Sequence, residues 1–314
     1  MRKIQITTTN GKVLKEAFDD FIRYKKISNL SSETIKYYND CYKIFCQFHD
    51  PAHECSTITQ KVIERYIEFL QNKDIVDVTI NSYLRGLRAI LYYFMELGYL
   101  QEFSIKLIRF DKKIKETYSN EELDILLKKP NLKTCAFAEF RNWVMINYLL
   151  GTGNRLSTMI SVKCGDVDFD NNVIRLTKVK NRKEQIIPLS STLGTILKEY
   201  LFYRKGNNED YLFSTVYGEG MTKSGVTSAI VAYNTSRGVT KHSIHVFRHT
   251  FAKLWILNGG DIFRLQKMLG HSSIEMVKEY VNIFSNDLQV NFDQFNPLES
   301  IAVKNKKSPA IKMR

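Results

Sequence analysis

The chain lacks several features that would have placed it quickly. Its 314 residues hold only five cysteines, an odd number with no CxxC pair, which argues against a disulfide framework and fits reduced thiols in a cytosolic protein. Cys41, Cys46, His49, His53 and Cys55 crowd one stretch, but their spacing matches no standard zinc pattern. Cys41 and Cys46 also fall in a run of Tyr and Phe where buried thiols are ordinary. No apolar run approaches the roughly 18 residues that suggest a bilayer span, and the opening MRKIQITTTNGK has no apolar core of a secretory signal. There is no internal repeat and no low-complexity segment. GxxxxGK[ST] is missing, as is any cluster of metal-binding carboxylates, so neither nucleotide hydrolysis nor two-metal chemistry is suggested and no cofactor is expected. Acidic charge is also in deficit, with 33 Asp and Glu against 46 Lys and Arg, a net charge of +13 and a pI near 9.3. Such an excess favours a polyanionic partner. With no membrane segment, that partner is expected to be nucleic acid in the cytoplasm.

What is present is mostly helical periodicity. Hydrophobic residues make up 44% of the chain, and its length suggests about two domains. Leu14, Ala17, Phe18, Phe21 and Ile22 share one face at the i, i+3, i+4 spacing, as do Ile35, Tyr38, Tyr42 and Phe45 after a cap at Ser31 or Ser32. A third run joins Ile63, Tyr66, Ile67 and Leu70. A fourth runs from near Thr79 to a stop at Gly98. Residues 13–102 therefore read as a compact helical bundle after a short extension, 1–12, with Lys36, Lys43, Arg85 and Arg88 free to face phosphates. Residues 103–117, FSIKLIRFDKKIKET, read as a basic linker. Ser119 and Glu122 have capping-box spacing at the start of a new helix. Helix continues through FAEFRNWVMINYLLGTG, NNVIRLTK and KEQIIPLS read as a β-hairpin, and helix resumes from Ser224. The fold class is mainly α with a small antiparallel β-sheet. A helical N-terminal domain precedes a mixed α/β domain over 118–283, with an amphipathic helix and basic tail over 284–314.

Three motifs in the second domain carry chemistry. Arg155 follows a helix end in LLGTGNR. His245 and Arg248 lie i, i+3 in HVFRHTF. LGHSS places His271 nine residues before Tyr280. The hairpin turn adds Lys178, Lys180 and Lys183. Arginine forks bind phosphate oxygens bidentately, and a pair of them stabilises the extra charge of a pentavalent phosphorane. A phenol with a pKa of about 10 is a poor nucleophile unless cations and a base help it. A lysine can protonate the departing oxygen. Taken singly, each residue reads as packing: Tyr280 is one of 17 tyrosines, His271 reads as a helix-end residue, His249 as structural and His242 as a loop residue. As an ordered set they suit phosphodiester transesterification through a phosphotyrosine.

In that order and spacing, Arg155, His245-x-x-Arg248, LGH with His271, and Tyr280 resemble the tyrosine recombinase (phage integrase) family across nearly the whole chain. The resemblance implies a SAM-like core-binding domain, a catalytic domain that cuts and rejoins double-stranded DNA at recombination sites, and a 3′-phosphotyrosyl intermediate with a free 5′-hydroxyl. By it, Tyr280 attacks, Arg155 and Arg248 clamp the non-bridging oxygens, His271 donates to the phosphate and His245 is the general acid/base. Counting back from Pro188 makes Lys180 the general acid, with Lys178 and Lys183 as alternatives. It further implies a homotetramer on DNA, with the stripe of Phe284, Leu288, Phe292 and Phe295 docking in trans. An accessory DNA-bending or directionality factor is left open. Two departures from the family pattern stand out. Thr158 sits where an acidic residue is usual, which leaves open what orients Arg155, and the hairpin turn lacks the usual glycines. These, with the basic tail, point to integration or excision of a mobile element. The alternatives are Xer-type dimer resolution, a catalytically silent DNA-binding regulator, and a type IB topoisomerase.

Overall fold

In a computed structural model, residues 11–110, 115–177, 184–271, 273–283 and 298 are described. The chain forms two compact units, residues 1–113 and 114–314.

The first unit is a bundle of four helices: α1 (Leu14–Ile27), α2 (Ser32–Phe45), α3 (Gln60–Gln71) and α4 (Asp77–Glu96). The cap on α2 is Ser31, whose hydroxyl accepts from the Thr34 amide at 3.2 Å, satisfying one of the first-turn donors that a helix leaves unpaired. The core is aromatic and aliphatic, with Phe21, Phe45, Tyr66, Leu84 and Phe94 fully buried. Glycine at 86 lets α2 and α4 meet closely, because a Cβ there would stand 2.3 Å from Cys41 Sγ. The buried Asn81 amide bonds both the N–H and the C=O of Ile108, which pins the chain beyond α4 to the bundle. Cys41 is a buried thiol, as its place among aromatic residues suggested, whereas Cys46 in the same run is half-buried; Cys55 is buried as well.

The second unit is built around α6 (Phe137–Thr152). Trp143 to Ile146, Tyr148 and Leu149 are all buried, so α6 is covered on nearly every side, as a helix apolar all round must be. It packs against α8 (Ser191–Arg204), α9 (Lys223–Ser236) and α10 (Ile244–Leu257). The Ser119–Glu122 capping box is formed on α5 (Asn120–Leu127). The hairpin is present as β2 (Val173–Leu176) and β3 (Gln185–Pro188), paired antiparallel from Val173–Pro188 to Leu176–Gln185. A two-residue strand, β1 (Val167–Asp168), adds to its outer edge and is too short to show as a sequence pattern. After α10 come α11 (Ile262–Leu269) and α12 (Glu275–Ile283). These pack on α10 around Ala252, Leu265, Leu269, Val277 and Tyr280. No helix among the described residues is long and apolar enough to cross a membrane.

Candidate active site

Each site side chain is delivered by the end or face of a helix. α6 ends at Gly153, a left-handed C-cap with φ of +62°, a conformation glycine adopts without steric cost. The turn that follows is held by the side chain of Asn154, which donates to the Tyr148 hydroxyl at 2.9 Å, and by its amide, which donates to Thr152 Oγ1. That fixes Arg155 as the residue before α7 (Leu156–Met159). α10 presents His245, Arg248 and His249. α11 ends at Gly270, again left-handed with φ of +59°, and hands the chain to His271.

Arg155 and Arg248 converge on one backbone oxygen. Arg155 Nη1 donates to Leu269 O at 3.3 Å and Arg248 Nη2 donates to the same oxygen at 2.8 Å. Arg248 Nη1 donates to Gly153 O at 2.9 Å. This answers what orients Arg155 in place of an acidic residue, for Thr158 is buried and the acceptor is the last carbonyl of α11. The negative end of that helix dipole lies against two cations. The other carbonyls of its last turn are satisfied as well. Gln266 O and Lys267 O accept from the backbone of His271 and Gly270, while the Gln185 side chain of β3 donates to Lys267 O and Met268 O. A side chain at 270 would come within 3.0 Å of Gln185 Oε1.

Among the described residues neither guanidinium is paired with a carboxylate. Arg248 is only 5% exposed; burial, reinforced by the neighbouring Arg155 charge, pulls its pKa down to about 10 against an opposing pull from Tyr280. Burial lowers that of Arg155 too, opposed by Tyr280. Two like charges held together without a counter-ion make a site that gains from an anion.

The remaining groups surround the tyrosine. His271 Nε2 lies 2.6 Å from Arg248 Nη2. Arginine only donates, so Nε2 accepts and the imidazole is neutral there. Tyr280, 3% exposed, has its ring parallel to His271 with centroids 6.2 Å apart. Its hydroxyl lies 3.0 Å from His249 Nδ1, and the Lys115 ammonium sits 4.7 Å over its ring. His245 is exposed on α10, and its ring meets that of His249 at 6.4 Å between centroids. Partial burial and the charges of Arg248 and Arg155 hold its pKa below the ordinary value.

The structure thus brings together Arg155, Arg248, His271 and Tyr280, with His245 at the edge. Lys180, Lys178 and Lys183 lie outside the described residues, as do Phe284, Leu288, Phe292 and Phe295. Two residues that sequence reasoning passed over belong here. His249, read as structural, is the group on the Tyr280 hydroxyl, and its i, i+4 spacing from His245 was the available signal. Lys115, read as part of a linker, gave no signal beyond its charge.

Residues 117–286 match the phage integrase family, and residues 13–114 match the phage integrase SAM-like domain. The chain is 25% identical over 298 residues to the tyrosine recombinase XerD of Listeria monocytogenes serotype 4b, a similarity that covers 90% of this chain and 99% of that protein. Its fold is similar to the Tn1549 transposon integrase in complex with a circular intermediate DNA, at a TM-score of 0.70 and 19% identity, covering 85% of this chain and 94% of that one. It is also similar to a lambda integrase tetramer bound to a Holliday junction, at a TM-score of 0.68 and 17% identity, covering 88% and 79% of the two chains. With the matches spanning both units and the paired arginines set beside a buried tyrosine, the chain belongs to the phage integrase family, the tyrosine recombinases.

Proposed function

We propose that this recombinase cleaves and rejoins DNA with Tyr280 as nucleophile and Arg155 and Arg248 as the clamp on the scissile phosphate. The observation that carries the reading is the shared Leu269 carbonyl, which holds both guanidinium groups together beside the Tyr280 side chain. A phosphodiester entering there supplies the missing anion. As the tyrosyl oxygen attacks, the two arginines meet the charge that grows on the non-bridging oxygens. Breaking the P–O5′ bond leaves a 3′-phosphotyrosine, so the bond energy is retained and religation needs no ATP. His271, freed from Arg248 when that guanidinium turns to phosphate, donates to the same group once its Nε2 carries a proton. His245 stands at the rim as a further proton carrier, and Lys180 is assigned as general acid for the 5′-oxygen.

The substrate is proposed to be double-stranded recombination sites bound by four copies of the chain, with the segment after Ile283 docking in trans. The similarity to an integrase solved as a tetramer on a Holliday junction supports this assembly. The setting proposed is the integration or excision of a mobile element in the cytoplasm. It rests on Thr158 in place of an acidic residue, on the glycine-free hairpin turn and on the basic C-terminal tail. The test is a nicked suicide duplex that traps the covalent adduct. Wild type is expected to accumulate it, Tyr280→Phe to give none, and Arg248→Ala to give at most a trace. An adduct that persists in Tyr280→Phe refutes the assignment, and sequencing of the trapped junctions separates element ends from a chromosomal dimer-resolution site.

A further inference from the structure

We propose that His249 is a catalytic residue whose Nδ1 takes the phenolic proton of Tyr280 as the oxygen attacks phosphorus. The inference rests on the reading of Tyr280 as nucleophile. It begins with the partner of the phenolic hydroxyl. His249 Nδ1 lies 3.0 Å from the Tyr280 oxygen, within the range required of a general base. A neutral imidazole carries one hydrogen and one free lone pair, and in the tautomer with its hydrogen on Nε2 the Nδ1 atom accepts from the hydroxyl.

The surroundings set when the transfer can occur. Burial comes first, then Lys115, His245 and Arg248, in holding the imidazole neutral until pH falls to about 4. In the free protein His249 therefore keeps a lone pair ready and does not hold a second proton. A scissile phosphate brought between the arginines adds negative charge next to the same imidazole. This offsets the cations and raises its affinity for a proton. The base becomes competent when substrate is in place. In the step, the Tyr280 O–H bond breaks and its proton moves to Nδ1. The P–O bond to tyrosine forms as the P–O5′ bond breaks, and the 5′-oxygen takes a proton from the separate general acid. Religation returns the proton from Nδ1 to the tyrosine. Lys115, its ammonium over the ring, stabilises the phenolate character that builds during attack. His245 makes its ring contact with His249 rather than the tyrosine, which fits a supporting place one turn away.

The experiment is single-turnover adduct formation on the nicked duplex at saturating full-length protein, from pH 5.5 to 9. The proteins compared are wild type, His249→Gln, His249→Gly and Tyr280→Phe. Glutamine accepts the hydroxyl's hydrogen bond but cannot take its proton. His249→Gln is therefore expected to bind the duplex as wild type does, to form adduct roughly 10²- to 10⁴-fold more slowly, and to gain rate tenfold per pH unit where wild type has levelled off. In His249→Gly, added imidazole is expected to restore adduct formation. A wild-type rate and pH profile in His249→Gln, or His249→Gly that is as slow with imidazole as without, overturns the proposal. Adduct in Tyr280→Phe instead overturns the reading beneath it.

Discussion

Replacing Gly153 by alanine tests how tightly the end of α6 is built. The residue has φ of +62°, where an L side chain costs about 1–2 kcal/mol. Its Cβ would stand 2.6 Å from Phe251 Cδ1 and 2.8 Å from Leu269 Cδ2, an overpacking of the kind that costs about 1–3 kcal/mol. The two add to about 2–5 kcal/mol. With a urea dependence of about 2 kcal/mol per molar, the middle of the usual range, the midpoint should fall by roughly 1–2.5 M. Tryptophan fluorescence reads this unit alone, since the two tryptophans, Trp143 and Trp255, both lie in residues 114–314. Gly153→Asn separates the causes, because asparagine tolerates the left-handed backbone but still carries the Cβ. Adduct formation should fall further than unfolding explains, because the Gly153 carbonyl is an anchor of Arg248. A midpoint within about 0.3 M of wild type for Gly153→Ala would refute the packing argument.

Other perturbations reach the site from different sides. Arg248→Lys keeps a charge but loses the planar fork whose two nitrogens bond Gly153 O and Leu269 O; adduct formation should drop at least about 100-fold, measured on the suicide duplex with DNA binding as the control. Lys115→Gln removes the cation over Tyr280 and should slow cleavage by roughly 2- to 30-fold, the equivalent of about 0.5–2 kcal/mol, with little change in unfolding midpoint. The His249 pKa falls from 6.5 to about 4 on folding. The unfolded chain therefore takes up a proton first as pH drops, and stability is lost between about pH 6.5 and 4, by at most about 3 kcal/mol. In His249→Gln the same acid limb should be shallower by that amount, read as urea midpoints against pH.

Much of the fold was open to sequence because it depends on local repeats. The 3.6-residue spacing of Leu14, Phe18 and Phe21 or of Ile63, Tyr66 and Leu70 shows which face is buried before any neighbour is known. Ser119 with Glu122 marks a helix start by chemistry alone, and the two β-rich runs around a polar turn mark a hairpin. β1 has two residues and exists only because β2 is beside it, so no periodicity could announce it. In the site, ordered motifs identified Arg155, Arg248, His271 and Tyr280, but spacing along a chain does not give hydrogen-bond partners. His249 was passed over because a histidine next to an arginine on a helix points about 100° away from it. Only the packing of α12 on α10 reveals that Tyr280 lies on that side. The same limit hid Lys115, whose contact spans 165 positions.

A backbone oxygen has no codon. Because both guanidinium groups donate to the carbonyl of Leu269, substitution at 269 changes the side chain and leaves that shared acceptor in place. A small drift of the α11 terminus would loosen the pair together, a useful property for an enzyme in which a solitary nick is a lesion.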